Sequence, residues 1–150
     1  MSRSSGCCNE CGAAASAGAT CWDQFVSVLA WEWTDPELQA LHFLTVASYN
    51  LQHPSRFTDE ALAGLRSAFR DHLERGVSVA ALRRGASAFD GNRRVVRRES
   101  ERRPVLREWP MTIAHVYASG RAEGAAGRVR AWAETIRNEL EGADTAAAGS

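Results

Sequence analysis

Apolar residues recur at helical spacing from Cys21 onward, and before that point no period is visible. Phe25, Val28, Leu29 and Glu32 follow an i, i+3, i+4, i+7 stripe that predicts a first helix. Asp35-Pro36 reads as an N-cap followed by proline in the first turn, opening a second helix to about Gln52 with Leu38, Leu41, Leu44 and Leu51 on its core side. His53-Pro54 stops it, because the residue before proline avoids the helical region. Thr58 caps a third helix carrying Leu62, Leu65, Phe69 and Leu73, and Gly76 ends it. Ser78 opens a short fourth helix to about Phe89. Thr112 caps a helical turn with Ile113, Val116 and Tyr117. A last helix over about 122–141 places Ala125, Val129, Trp132, Ile136 and Leu140 inward and ends at Gly142.

No segment alternates as a strand. The pattern predicts an all-α fold, a four- to five-helix bundle with a Cys-rich irregular N-terminal arm. Residues 1–20 form the arm as part of the same domain, 21–142 the bundle, and 143–150 a disordered tail. The arm is rich in Gly, Ala and Ser and needs an external tie to be ordered. Residues 90–108 read as a polar, arginine-rich connection.

A chain of 150 residues has room for one domain. It holds no apolar run of membrane-spanning length and no apolar leader segment, so a cytoplasmic protein with no membrane partner is expected. All eighteen basic residues are arginine. Without lysine there is no Schiff-base chemistry, no phosphate-binding P-loop and no kinase lysine. No glycine-rich nucleotide fingerprint appears, and no cofactor-binding residue is identified. The zero net charge is uneven. Residues 1–60 set two arginines against seven acids, 61–107 set twelve against five, and 108–150 set four against six.

Four cysteines without a secretion signal argue against a disulfide framework. Cys8-x2-Cys11 is a spacing that lets two thiolates converge on one tetrahedral ion, and Gly12 eases the turn that follows. Cys21 stands at the start of the first helix. A fourth ligand comes from His42 or His53. On one helix these two lie about 20° apart around the axis but about 16 Å apart along it, so one ion cannot take both. If the first two helices form an antiparallel hairpin, the second returns toward Cys21 and delivers His53. The predicted site is a structural Cys3His zinc centre of Cys8, Cys11, Cys21 and His53, with Cys7 as the substitute thiolate. A redox role for the pair lacks the surrounding βαβ pattern.

Glu32 shares its stripe with apolar residues, a costly place for an unpaired carboxylate. His42 faces it from the next helix. The two predict either a polar contact that fixes helix register or an open metal or acid–base site, with His72 or His115 adding a ligand.

The run Cys8-x2-Cys11-Gly12, Cys21-Trp22, His42-x-Leu44-Thr45-Val46-Ala47-x-Tyr49, Gln52-His53-Pro54-Ser55 and Val129-Arg130-Ala131-Trp132-Ala133 resembles a bacterial family known as domain of unknown function 5946. The likeness covers most of residues 8–140. It implies no activity, but it makes the cysteines, His42 and His53 look less accidental. The Ala/Gly stretch between Cys11 and Cys21 is shorter than in that family, and the arginine tract departs from its recognisable segments.

That tract, Arg93, Arg94, Arg97, Arg98, Arg102 and Arg103 against Glu99 and Glu101, is a candidate electrostatic patch for phosphates. It lacks interleaved aromatic residues, so nucleic acid is not the expected partner. The sequence favours a binding or accessory module whose partner is a protein or small molecule. The alternatives are a metal-dependent enzyme using Glu32 and His42, and an arginine-mediated nucleic-acid binder; the sequence assigns no reaction.

Overall fold

A computed structural model describes residues 6–87 and 95–149, with side chains over 6–85 and 95–143. The expected end of the fourth helix at Phe89 and the tract residues Arg93 and Arg94 lie outside the described residues. Seven α-helices and no extended strand occur among those described. They are α1 (Cys21–Trp31), α2 (Pro36–Gln39), α3 (His42–Leu51), α4 (Asp59–Arg75), α5 (Val79–Ser87), α6 (Ile113–Tyr117) and α7 (Ala125–Gly149). The fold is all-α, as the periodicity predicted.

The expected capping residues act at most of the helix starts. At α1, where no cap was expected, Thr20 and Asp23 form a reciprocal capping box. The Asp35 side chain accepts from the Leu38 N–H at 3.1 Å, and Thr58 accepts from Ala61 at 3.2 Å. Gly76 ends α4 in the left-handed region at φ 65°, where a Cβ would be strained.

Two helix boundaries differ from expectation. The second predicted helix divides at Ala40–Leu41, where Leu41 adopts φ −100° and ψ 14° and its N–H bonds three residues back to Leu38. Neither glycine nor proline marks this break, so local propensity could not reveal it. At the other end, α7 starts at Ala125 and continues through Gly142 to Gly149. A glycine costs a helix only about 1 kcal/mol, and the alanine-rich residues after it favour continuation.

The described contacts divide into two units, Met1–Gln52 with Val105–Ser150, and His53–Pro104. In the first, α1 packs on α6 and α3, and α7 packs on α2, α3 and α6. Val28, Leu38, Ile113, Val116, Val129, Trp132 and Ile136 are fully enclosed there. Trp31 of α1 stacks on Tyr117 of α6 with centroids 5.8 Å apart. In the second unit, Phe69 is the buried anchor of α4. Residues 95–97 pair with 56–58 through Thr58 N–H to Val95 O (2.9 Å) and Arg97 N–H to Arg56 O (2.9 Å).

One buried polar side chain joins three parts of the first unit. Gln52, the C-cap of α3, donates from Nε2 to Met111 O at 2.8 Å and accepts from Trp132 Nε1 at 3.2 Å. The Trp132 bond is buried and the Met111 bond partly so, and their loss strands an indole N–H and a half-buried carbonyl. Gln52→Leu is expected to destabilise the protein by about 1–3 kcal/mol for each stranded group, read as a lower urea midpoint at fixed metal content.

Candidate metal centre

The arm is folded by its own backbone. Cys8 N–H bonds to Ala13 O at 2.9 Å and Gly12 N–H to Cys8 O at 3.0 Å, with Gly12 at φ 80° closing the turn. Single bridges join Cys7 to Ala14 and Ser16 to Ala19. The fully buried Gln24 amide of α1 donates to Ala14 O (2.9 Å) and Ala19 O (3.0 Å), holding the arm against the helix. Gln24 was not among the expected site residues, although a glutamine on the buried face of α1 was a readable anomaly.

This knuckle aims N–H groups at sulfur. Glu10 and Cys11 N–H point at Cys8 Sγ, and Ala13 N–H at Cys11 Sγ, each at 3.4 Å. Such donors favour the thiolate over the thiol, the state a metal requires. Cys21 lies in the first turn of α1, 3.5 Å from the Tyr49 hydroxyl. Tyr49 is itself held by stacking on Phe25 at 4.1 Å. His53 follows directly on Gln52 and is 5% exposed.

The ligand atoms of Cys8, Cys11, Cys21 and His53 all lie within 4.8 Å of one another. Tetrahedral zinc, with Zn–S near 2.3 Å, sets its sulfurs roughly 3.8 Å apart, so the cluster has the size and donor chemistry for one such ion. Cys7 is exposed and outside this group. The same four residues were singled out from spacing and helix geometry.

The cysteines of the cluster act on their neighbours' ionisation. The Cys21 and Cys8 thiols, together with burial, push the Cys11 thiol far above the ordinary thiol range. Burial, followed by the neighbouring Cys21, likewise raises the Tyr49 phenol. A divalent ion among such thiols would favour the ionised form of Cys11.

Glu32 and His42 also meet, with Glu32 Oε1 2.8 Å from His42 Nδ1. Glu32 is buried while the His42 side chain is 51% exposed. No third ligand joins them, since the cysteine–histidine cluster is the only group of three or more candidate ligands among the described residues. His115 Nδ1 accepts from Thr112 N–H at 3.0 Å, and His72 Nδ1 lies 2.7 Å from Val77 O. Both histidines are therefore engaged in local backbone bonds at α6 and at the end of α4.

A cavity of about 1010 Å³ adjoins the knuckle, lined in part by Cys8, Cys11, Leu106, Arg107, Trp109 and His115. The Arg107 guanidinium lies 4.1 Å above the Trp109 ring. Sequence periodicity gave no sign of this cavity, because most of its wall lies outside the helices.

Three of the four described arginines of the tract bond locally. Arg97 donates to Phe57 O and to Asp59 Oδ1, both at 2.7 Å. Arg102 reaches Arg97 O, and Arg103 reaches Ser100 O and Arg102 O. Among the described residues, no helix is long and apolar enough to cross a membrane.

Thiol accessibility follows this geometry. In the folded protein, without chelator, a bulky disulfide reagent is expected to label exposed Cys7 first and buried Cys11 last. Mass mapping of singly labelled chains checks the order, and early labelling of Cys11 would contradict it.

No curated protein and no solved structure matches the chain. One family does, described as a family of unknown function (DUF5946), over residues 6–141.

Proposed function

As a member of the family of unknown function DUF5946, this chain inherits no reaction, and we propose from its geometry that it is a small binding or accessory module built around a structural zinc centre. Cys8, Cys11, Cys21 and His53 would supply three thiolates and one neutral imidazole, filling all four tetrahedral positions. The observation that carries this reading is the convergence of those four ligand atoms within 4.8 Å. A closed site leaves no position for substrate or activated water, so the ion's role is to hold the arm.

The binding half of the proposal rests on the cavity against the knuckle. Its wall combines apolar Leu106 and Trp109 with the polar groups of Arg107 and His115, the mixture that small-molecule sites and peptide clefts use. Part of that wall belongs to the metal knuckle itself, because Cys8 and Cys11 line both. Loss of the ion would therefore unmake the cavity along with the arm. The protein is read as cytoplasmic, where thiols stay reduced and available to metal.

An open catalytic site at Glu32 and His42 lacks the third ligand that metal-activated hydrolysis needs. Their 2.8 Å contact serves as the register-fixing polar bond between the Glu32–Thr34 turn and α3. Nucleic-acid binding is disfavoured by the local engagement of Arg97, Arg102 and Arg103.

Protein purified under reducing conditions is expected to hold one zinc per chain by elemental mass spectrometry. Cys11→Ser should lose most of it, while Cys7→Ser should keep it. Chelation should raise amide hydrogen exchange across residues 6–20 by at least about tenfold, because the arm's tie is removed. Substoichiometric zinc that Cys11→Ser leaves unchanged would sink the reading.

A further inference from the structure

Each cysteine of the cluster is met by a hydrogen-bond partner, but from different sources. Cys8 Sγ faces the backbone N–H groups of Glu10 and Cys11, and Cys11 Sγ faces that of Ala13, each at 3.4 Å. These donors belong to the knuckle and follow from its turn. Cys21 stands apart from the knuckle, at the first position of α1. Its sulfur lies 3.5 Å from the Tyr49 hydroxyl of α3, 28 residues further along the chain. With a thiol at Cys21 either group can donate. Once Cys21 is a thiolate, the phenol is the member of the pair with a proton to give.

The Tyr49 ring is fixed in the direction this bond needs. It is 2% exposed and stacks on Phe25, with centroids 4.1 Å apart and planes 10° apart. The Trp22 ring closes on it edgewise at 6.0 Å. Trp22 and Phe25 belong to α1, the helix that carries Cys21, so one helix positions both the sulfur and the ring that reaches it. A hydroxyl held in this way loses little freedom on bonding to sulfur.

We propose that Tyr49 is a positioning residue of the zinc centre, whose hydroxyl donates to the Cys21 thiolate, tightens metal binding and blunts that sulfur toward electrophiles. The inference rests on the zinc reading above. Three thiolates and a neutral imidazole around a divalent ion leave one net negative charge on a partly buried site. Cys8 and Cys11 pass their share of it to backbone N–H groups, and Cys21 passes its share to the phenol. A hydrogen bond to a thiolate stabilises the charged form, which is the form that ligates, and draws electron density from the sulfur. Metal is thereby held more tightly and the sulfur attacks electrophiles more slowly.

Tyr49→Phe removes one oxygen and keeps the ring that packs on Phe25, so its far-UV circular dichroism should match wild type. Tyr117→Phe, which takes the chain's other phenol from its stack on Trp31, is the control. Cobalt(II) serves as the spectroscopic probe of the site. In Tyr49→Phe the sulfur-to-cobalt charge-transfer bands are expected at lower energy, because an unbonded thiolate gives up an electron more easily. Zinc affinity, read by competition with a chelator, should fall about 10–100-fold. Tyr117→Phe should change neither. With zinc in excess, iodoacetamide should alkylate Cys21 several-fold faster in Tyr49→Phe, and Cys8 and Cys11 at wild-type rates. Faster alkylation of all three cysteines shows general loosening and overturns the proposal. Wild-type bands and affinity in Tyr49→Phe overturn it too, and leave the zinc reading standing. A wild type that takes up neither metal overturns both together.

Discussion

Everything near the candidate metal centre depends on where α3 ends. Gln52 fixes that end by bonding Met111 O on one side, where it is partly buried, and the Trp132 indole on the other, in the interior. The next residue, His53, is thereby delivered among three cysteines contributed by the arm and by the first turn of α1. A shift of one residue at this helix end would turn the imidazole about 100° away. The hydrogen bonds of one glutamine therefore set the geometry on which the proposed zinc centre stands. The Gln-His-Pro run has a physical reading in these terms: a latch, a ligand and a helix stop in consecutive positions.

The arm meets this ligand with its own preparation. Its N–H groups already point at Cys8 and Cys11, and Gln24 holds its carbonyls from α1. What remains unfavourable is the crowding of three thiols, which drives the Cys11 thiol well above its ordinary range. Backbone N–H groups aimed at sulfur, and four ligand atoms within 4.8 Å of one another, are the observations on which the proposed zinc centre rests.

Much of this was legible in the sequence, for reasons that differ by element. The apolar stripes of α1, α4 and α7 and the caps at Asp35, Thr58 and Thr112 follow local rules, and they placed these helices. The choice of His53 over His42 followed from helix rise together with the expected antiparallel hairpin, which returns the helix end toward Cys21. The break at Ala40–Leu41 was not legible, because neither residue is a helix breaker and the bend is a tertiary outcome. The continuation of α7 past Gly142 was missed because one glycine was given more weight than its cost of about 1 kcal/mol warrants. The roles of Gln24 and Gln52 were hidden for another reason. A buried glutamine in a helix announces a partner without saying where in the chain that partner lies.

Zinc K-edge X-ray absorption on the purified, reduced protein tests the central claim most directly. The account predicts a four-coordinate first shell of three sulfurs near 2.3 Å and one nitrogen at about 2.0–2.1 Å. Replacing His53 with cysteine should convert this shell to four sulfurs. A shell dominated by oxygen, or one of four sulfurs in the wild-type chain, would contradict it.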